Sequence, residues 1–176
     1  MKLYLTRHGQ TEWNAQDKVC GITDVGLTKL GIKQADELAE KLKDKGIDII
    51  LHSPLKRAVQ TASRVAEKCN ARMIPEGRLT EQNYGIYEGV DRRDEGFLNN
   101  KRQFAYRYPG GESMMDVAYR TYQLLDEIKE KYSDNTVLIV CHNGVCRVIN
   151  TYFNDITNQD FFEYSLENCE VKEYEY

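Results

Sequence analysis

The sequence predicts an α/β fold: a three-layer sandwich with a mostly parallel central sheet and helices on both faces. Two observations carry that prediction. Short apolar, β-branched runs alternate with longer stretches of helical periodicity, the pattern of strand–helix–strand units. One run, Thr136–Cys141 (TVLIVC), is apolar without alternation, as in a central strand buried on both faces. Right-handed crossovers between parallel strands then cover both sides of the sheet.

The elements follow in order. Residues 2–6 (KLYLT) form a strand that runs into Arg7-His8-Gly9. Thr28 is an N-cap for a helix reaching Lys45, with Leu30, Ala35, Leu38, Ala39 and Leu42 at helical spacing and Gly46 as its stop. Residues 47–51 (IDIIL) read as a second strand. Ser53-Pro54 opens the next helix, with proline tolerated in its first turn. Leu55, Ala58, Val59, Ala62, Val65 and Ala66 line one face of that helix. A third strand falls near 72–74. Residues 113–131 form a helix with Leu124, Leu125 and Ile128 inward and Lys129 and Lys131 at its C-terminal end. Helix-like residues follow the TVLIVC strand over 144–153, and a last strand falls at 169–174. The stretch 83–111 is rich in Tyr, Arg, Asn and Gly with weak periodicity, and reads as a short lid insertion over one end of the sheet. No repeat or linker interrupts the pattern, so residues 1–176 are read as a single domain.

Composition narrows the function. With 41% hydrophobic and 30% charged residues the chain is an ordinary globular one, not a disordered one. It has no apolar run of membrane-spanning length, and the N-terminal apolar run meets Arg7 too early for a signal peptide. Five cysteines, odd in number and without a C-x-x-C pair, point to the reducing cytoplasm. The three histidines, His8, His52 and His142, have no metal-ligand spacing. The net charge of −4 is local. Residues 161–176 hold five of the 28 acids and one of the 24 bases, which leaves 23 of each in residues 1–160. That balance excludes a broad basic surface for nucleic acid but not a local anion site.

Ligands of open α/β sheets bind beyond the carboxyl ends of the strands. Two predicted strands end in histidine, at His8 and His142, and a third runs into Ser53-Pro54-Leu55-Lys56-Arg57. One rim thus collects two histidines with Arg7 and Arg57. Arginine forks match phosphate geometry, and a helix N-terminus adds backbone donors. A neutral imidazole between arginines is a competent nucleophile toward a phosphoryl group, and the leaving oxygen then needs a general acid.

Arg7-His8-Gly9-Gln10-Thr11-Glu12-Trp13-Asn14 resembles the R-H-G-x-T-x-x-N signature of the histidine phosphatase superfamily, which includes the cofactor-dependent phosphoglycerate mutases. Gly21-Ile22-Thr23-Asp24 with Leu27-Thr28 resembles its G-x-x-D-x-x-L-T segment, and Ser53–Ala62 its S-x-x-x-R-A-x-Q-T-A segment. Leu79-Thr80-Glu81 with Gly85–Gly89, then Pro109–Ser113, and His142 with Gly144 and Arg147 are similar to three further segments, in the same order. The resemblance implies a phosphoglycerate mutase-like fold of the small-phosphatase, α-ribazole phosphatase type. It implies His8 as the nucleophile that becomes phosphohistidine, with Arg7, Arg57 and His142 on the phosphoryl oxygens. Glu81 would be the proton donor and later the base for water. Asn14, Cys20, Gly21 and Asn143 would line the phosphate pocket. No metal and no other cofactor is implied, and the partner is a small phosphorylated substrate. Cys141 and Asn143 depart from the pattern, where Ser or Thr and Gly are common.

Other readings remain open at this point. Glu88 lies seven residues after Glu81 and competes for the role of acid. Cys141–Arg147 is also a C-x5-R sequence, similar to the phosphate loop of low-molecular-weight tyrosine phosphatases, with a cysteine nucleophile. A phosphate-binding module without turnover is a third class. A mutase must hold its intermediate away from water. Mutases run longer and carry Glu-Arg-x-Tyr where this chain has Glu81-Gln82-Asn83-Tyr84, which favours a phosphatase. In residues 91–108, Arg92, Arg93, Lys101, Arg102 and Arg107 read either as a solvated face or as lid cations for a polyanionic substrate. Phe97, Phe104, Tyr106 and Tyr108 read as an apolar stripe or as contacts for its leaving group. His52, Trp13 and the tyrosines read as structural. The last strand can pair across a dimer, so monomer and homodimer both fit.

Overall fold

The computed structural model describes residues 1–176. Five strands form one sheet: β1 (Lys2–Arg7), β2 (Ile49–His52), β3 (Arg72–Pro75), β4 (Val137–Cys141) and β5 (Val171–Glu175), in the order β3-β2-β4-β1-β5. Only β5 runs antiparallel, against β1. The helices are α1 (Glu12–Ala15), α2 (Lys29–Leu42), α3 (Lys56–Cys69), α4 (Glu95–Lys101), α5 (Met114–Lys131), α6 (Asn143–Phe153) and α7 (Asn158–Glu163).

The layers follow from side-chain alternation along the strands. Val137, Ile139 and Cys141 join Leu3, Leu5, Ile49 and Leu51 under α5 and α6. Leu138 and Val140 join Tyr4 and Ile50 under α2 and α3. β4 is therefore buried along its whole length, as its unbroken apolar run predicts. Each such Leu or Ile contributes about 1.5–3 kcal/mol by burial.

Local details differ from the sequence reading in several places: the first long helix ends at Leu42 rather than reaching Lys45, and the last strand runs over Val171–Glu175 rather than 169–174. The second strand starts at Ile49, not 47, because the Asp48 carboxylate accepts the Thr136 N–H and turns residue 48 into a brace before the ladder. Leu30 is exposed; the inner stripe of α2 is Gly31, Ala35, Leu38, Ala39 and Leu42. Pro54 precedes α3 rather than sitting in its first turn, since Leu55 is the N-cap. Val59 is only half-buried, and Arg57 turns inward instead.

The 83–111 insertion builds its own small core. Tyr84, Phe97 and Tyr108 pack edge-on or stacked around Val19, with ring centroids 5.4–6.1 Å apart. Phe104 lies instead on Phe161 and Phe162 of α7. The aromatics of this stretch are thus mainly packing.

The loop after β1 is seated by two glycines. A Cβ on Gly31 would lie 2.1 Å from the Gln10 carbonyl oxygen, and one on Gly9 would lie 2.4 Å from that of Gly31. Backbone meets backbone there, so neither side can yield. Gly31→Ala is expected to cost about 1–3 kcal/mol in urea unfolding. Gly77→Ala, whose Cβ meets nothing within 4 Å, should stay within roughly 0.5 kcal/mol of the parent. Equal stabilities for the two variants would contradict this seating.

Candidate active site

The register of the sheet creates the site. Arg7 pairs with Cys141 at the ends of β1 and β4, so the next residues, His8 and His142, leave the sheet side by side. The His8 N–H donates to the Cys141 carbonyl at 3.0 Å, and the two imidazole centroids are 5.0 Å apart.

Hydrogen bonds assign the tautomers of both rings. His8 Nδ1–H donates to the Gly9 carbonyl at 2.7 Å, leaving the Nε2 lone pair free to accept. Arg57 Nε–H is shared between that nitrogen and His142 Nδ1, at 3.2 Å each. His142 therefore carries its proton on Nε2, which donates to Ser53 Oγ at 2.8 Å. Burial first, then Arg57 and Arg7, hold the His8 pKa well below the usual histidine range. Burial, Arg57 and His8 do the same for His142.

A cavity of about 90 Å³ opens in front of His8. Of the residues singled out from sequence, Arg7, His8, Asn14, Cys20, Glu81 and Asn143 line it. Arg57, His142 and Gly21 do not: they form a layer behind His8. Two Arg57 nitrogens donate to the carbonyls of Gly21 and Thr23, at 2.6 and 2.9 Å. The Gly21 N–H donates to Glu88, so the glycine braces the loop rather than presenting a donor to the cavity. Arg7 donates from one terminal nitrogen to the Leu166 carbonyl, while its Nε–H is buried without a partner. The Asn14 Oδ1 accepts the Thr11 N–H in the capping box of α1. The Asn143 Oδ1 accepts from Leu166 N–H and Ser165 Oγ–H. The first residues of α6, Asn143 and Gly144, border the same space, with the Gly144 N–H given to Glu81.

The two glutamates separate cleanly. Glu81 is buried at the cavity wall, where its carboxylate accepts the N–H groups of Gln82 and Gly144 at 2.9 and 3.1 Å. Glu88 accepts from Gly21, Ile22, Thr23 and Tyr84 N–H groups and from the Thr23 hydroxyl. It holds the 20–23 loop and does not line the cavity. Glu112 plays the matching part for the Glu81 loop, accepting Asn83 N–H and pairing with Arg120, whose guanidinium also donates to the Glu81 carbonyl.

Several positions do not match the simpler sequence reading. Cys141 is fully buried in the core, its Sγ 3.5 Å from that of Cys146, and burial pushes its thiol well above the usual range. It lies in the core and not at the cavity, so it is not placed as the nucleophile of a C-x5-R phosphate loop. Arg147 does line the cavity, with Nε donating to the Tyr164 carbonyl at 2.7 Å. Arg92 and Lys101 of the insertion join it there, while Arg93 and Arg107 are tied to Asp91 and Asp116. His52 is buried, with Nδ1 on the Ser53 carbonyl, away from the cavity.

Comparison with known proteins gives a consistent set of relatives. The family model of the histidine phosphatase superfamily (branch 1) matches residues 3–176. Phosphoserine phosphatase 1 of Hydrogenobacter thermophilus is 31% identical over 176 residues, spanning 96% of this chain and 83% of that protein. A Yersinia pestis protein named "Probable phosphoglycerate mutase GpmB" is 34% identical over 151 residues, spanning 81% of this chain and 69% of that protein. The α-ribazole phosphatase of Shigella flexneri superposes with a TM-score of 0.87 at 25% identity, over 98% of this chain and 89% of that one.

Two outcomes are expected from this geometry. In the free protein, nitrogen NMR should find His8 neutral with its proton on Nδ1 at about pH 6; an ordinary titration midpoint near pH 6.5 would contradict the assignment. A Cβ on Gly144 would meet Glu81 Oε1 at 2.5 Å. Gly144→Ala should therefore displace the carboxylate and lower phosphoester turnover by on the order of 10²-fold, with the melting transition kept. Unchanged turnover would show that the position of Glu81 is immaterial.

Proposed function

We infer, from its place in the histidine phosphatase superfamily, to which the chain belongs, that it hydrolyses small phosphomonoesters through a phosphohistidine on His8. One observation carries this reading: a tautomer locked by the Gly9 carbonyl leaves Nε2 of a buried imidazole as a proton acceptor, resting on the Arg57 N–H at the wall of a cationic cavity.

The reaction is then assigned as two displacements. The His8 Nε2 lone pair attacks phosphorus, the phosphorus–oxygen ester bond breaks, and Glu81 gives its proton to the leaving oxygen, releasing an alcohol. Water then attacks phosphorus, Glu81 takes its proton, the phosphorus–nitrogen bond breaks, and inorganic phosphate leaves with His8 neutral again. The unpartnered Arg7 Nε–H binds a phosphoryl oxygen directly. Arg57 acts through proximity: a phosphoryl group on Nε2 places its oxygens beside whatever already touches Nε2, and Arg57 Nε is 3.2 Å away. The same N–H that rests on the lone pair passes to the phosphoryl group as the lone pair is used. His142 meets the phosphoryl group only after its ring gives up the present tautomer, in which its proton points at Ser53. Asn14 and Asn143 supply amide donors, and Cys20 walls the pocket. Each step falls to a side chain, with none assigned to a metal or cofactor.

The relatives are named for phosphoserine, phosphoglycerate and α-ribazole, which supports a small phosphorylated metabolite as substrate. Phosphoglycerate mutase activity is the second reading, favoured by the Yersinia relative. Against it, the Gln82 side chain is buried and donates to the Glu112 carbonyl, so it holds the loop rather than clamping substrate. A cytoplasmic location fits the five free thiols and a chain in which no helix is long and apolar enough to cross a membrane.

Steady-state kinetics test the assignment. His8→Ala should abolish phosphate release, Glu81→Gln should lower kcat by about 10²–10⁴-fold, and Cys141→Ala should retain activity. Activity surviving in His8→Ala, or lost in Cys141→Ala with the fold intact, would overturn it. With 3-phosphoglycerate, isomerisation faster than phosphate release would move the assignment to a mutase.

A further inference from the structure

The peptide between His8 and Gly9 is held by both of its edges. It joins the nucleophile to the residue whose carbonyl fixes its tautomer. In a trans peptide the C=O and N–H point in opposite directions. On one side, the His8 carbonyl accepts from the Asn168 side-chain amide at 2.7 Å. On the other, the Gly9 N–H donates to Thr61 Oγ1 at 3.1 Å. Thr61 gives its own hydroxyl proton to the Arg57 carbonyl at 2.8 Å, which leaves that oxygen free to accept.

Thr61 belongs to the same helix as Arg57, so its part in the site follows from α3. Asn168 comes from elsewhere, 160 residues along the chain from His8, in the turn that precedes β5. Neither displacement at phosphorus uses it. The turn nevertheless reaches the catalytic pair twice. Cys169 N–H donates to the Arg7 carbonyl at 3.0 Å, so neighbouring residues of the turn meet the neighbouring carbonyls of Arg7 and His8. Cys169 holds a left-handed φ of 60°, uncommon for a residue with a β-carbon. The turn is closed by Glu170 N–H on the Glu167 carbonyl and by Glu167 N–H on the Glu170 carboxylate. Asn168 and Cys169 also border a groove of about 200 Å³ with Gln34, Glu37, Leu38 and Lys41. Asn168 is half-buried there and outside the core, so trimming its side chain opens no core cavity. One amide–carbonyl bond adds little to stability, whereas a displacement of about 1 Å at a reacting group can cost on the order of 10²-fold in rate.

We propose that Asn168 is a positioning residue for phosphoryl transfer: its amide, opposite Thr61, holds the His8–Gly9 peptide plane, so that the Gly9 carbonyl stays on Nδ1 and Nε2 stays at the cavity. The kinetic consequence rests on the phosphohydrolase reading. The consequence for the His8 tautomer is a property of the free protein.

The test uses the full chain with p-nitrophenyl phosphate and phosphoserine. Asn168→Ala should lower kcat by on the order of tenfold, with KM within about twofold of the parent. Nitrogen NMR of the free variant should find both His8 tautomers populated, where the parent shows one. Asn168→Asp separates the bond from the bulk of the side chain. An ionised carboxylate cannot donate to a carbonyl, but a protonated one can. Its kcat per folded molecule, taken as a ratio to the parent at each pH, should therefore rise as pH falls toward a carboxyl pKa of about 4, with no such rise in Asn168→Ala. A folded Asn168→Ala with parental kcat and a single His8 tautomer overturns the proposal and leaves the phosphohydrolase reading intact. A lost kcat with no recovery in Asn168→Asp at low pH, or variants that do not fold, assigns Asn168 to the fold alone and overturns it as well. No phosphate release by the parent removes the phosphohydrolase reading and the proposal with it.

Discussion

The Arg57 Nε–H lies between two imidazole nitrogens, and most of the site is built to keep it there. Arg57 is fully buried without a carboxylate partner. Burying a bare charge costs several kcal/mol unless its donors are satisfied. Satisfaction here comes from the carbonyls of Gly21 and Thr23 and from the two histidines. The 20–23 loop must therefore present carbonyls inward, and Glu88 makes it do so by taking its N–H groups on the other side. The histidines must be adjacent, and the Arg7–Cys141 register makes them so. A carboxylate beside Arg57 would satisfy the same donors, yet it would also answer the charge that, after burial, holds the His8 pKa down.

That choice extends outward. The three arginines around the cavity, Arg7, Arg92 and Arg147, donate to carbonyls, which fix position without cancelling charge, whereas Arg78, Arg93 and Arg107 outside it pair with carboxylates. A chain with a net charge of −4 thus keeps an uncompensated positive site inside low-dielectric walls. Of the five acids of the C-terminal segment, Glu173 and Glu175 sit on the edge strand β5, where Glu173 pairs with Lys2. Charged side chains on such an edge also discourage strand addition.

Much of this was legible in the sequence because strands ending in Arg-His and Cys-His leave few topologies open. The unbroken TVLIVC run placed β4 at the centre, and the order of motif segments placed Arg57 and Glu81 near His8. What was not legible depended on the third dimension. Leu30 has the right residue type and a helical spacing, but α2 turns its Gly31 side to the Gln10 backbone and leaves Leu30 in water. Glu81 and Glu88 are chemically alike in sequence; only the set of loop N–H groups on Glu88 shows which one is a brace. The insertion's arginines likewise divide only once their partners are seen. Arg147 was visible as part of a motif, but its place in the cavity wall follows from the path of α6.

On the proposed reading, the Gly9 carbonyl fixes the His8 tautomer and so makes Nε2 the atom that carries the phosphoryl group. The most direct measurement is phosphorus–nitrogen coupling by NMR in nitrogen-labelled protein, trapped during turnover of a phosphoester. The account predicts a phosphoryl group bonded to Nε2 of His8, with the proton still on Nδ1. A phosphoryl group on Nδ1, on another residue, or on none would contradict it.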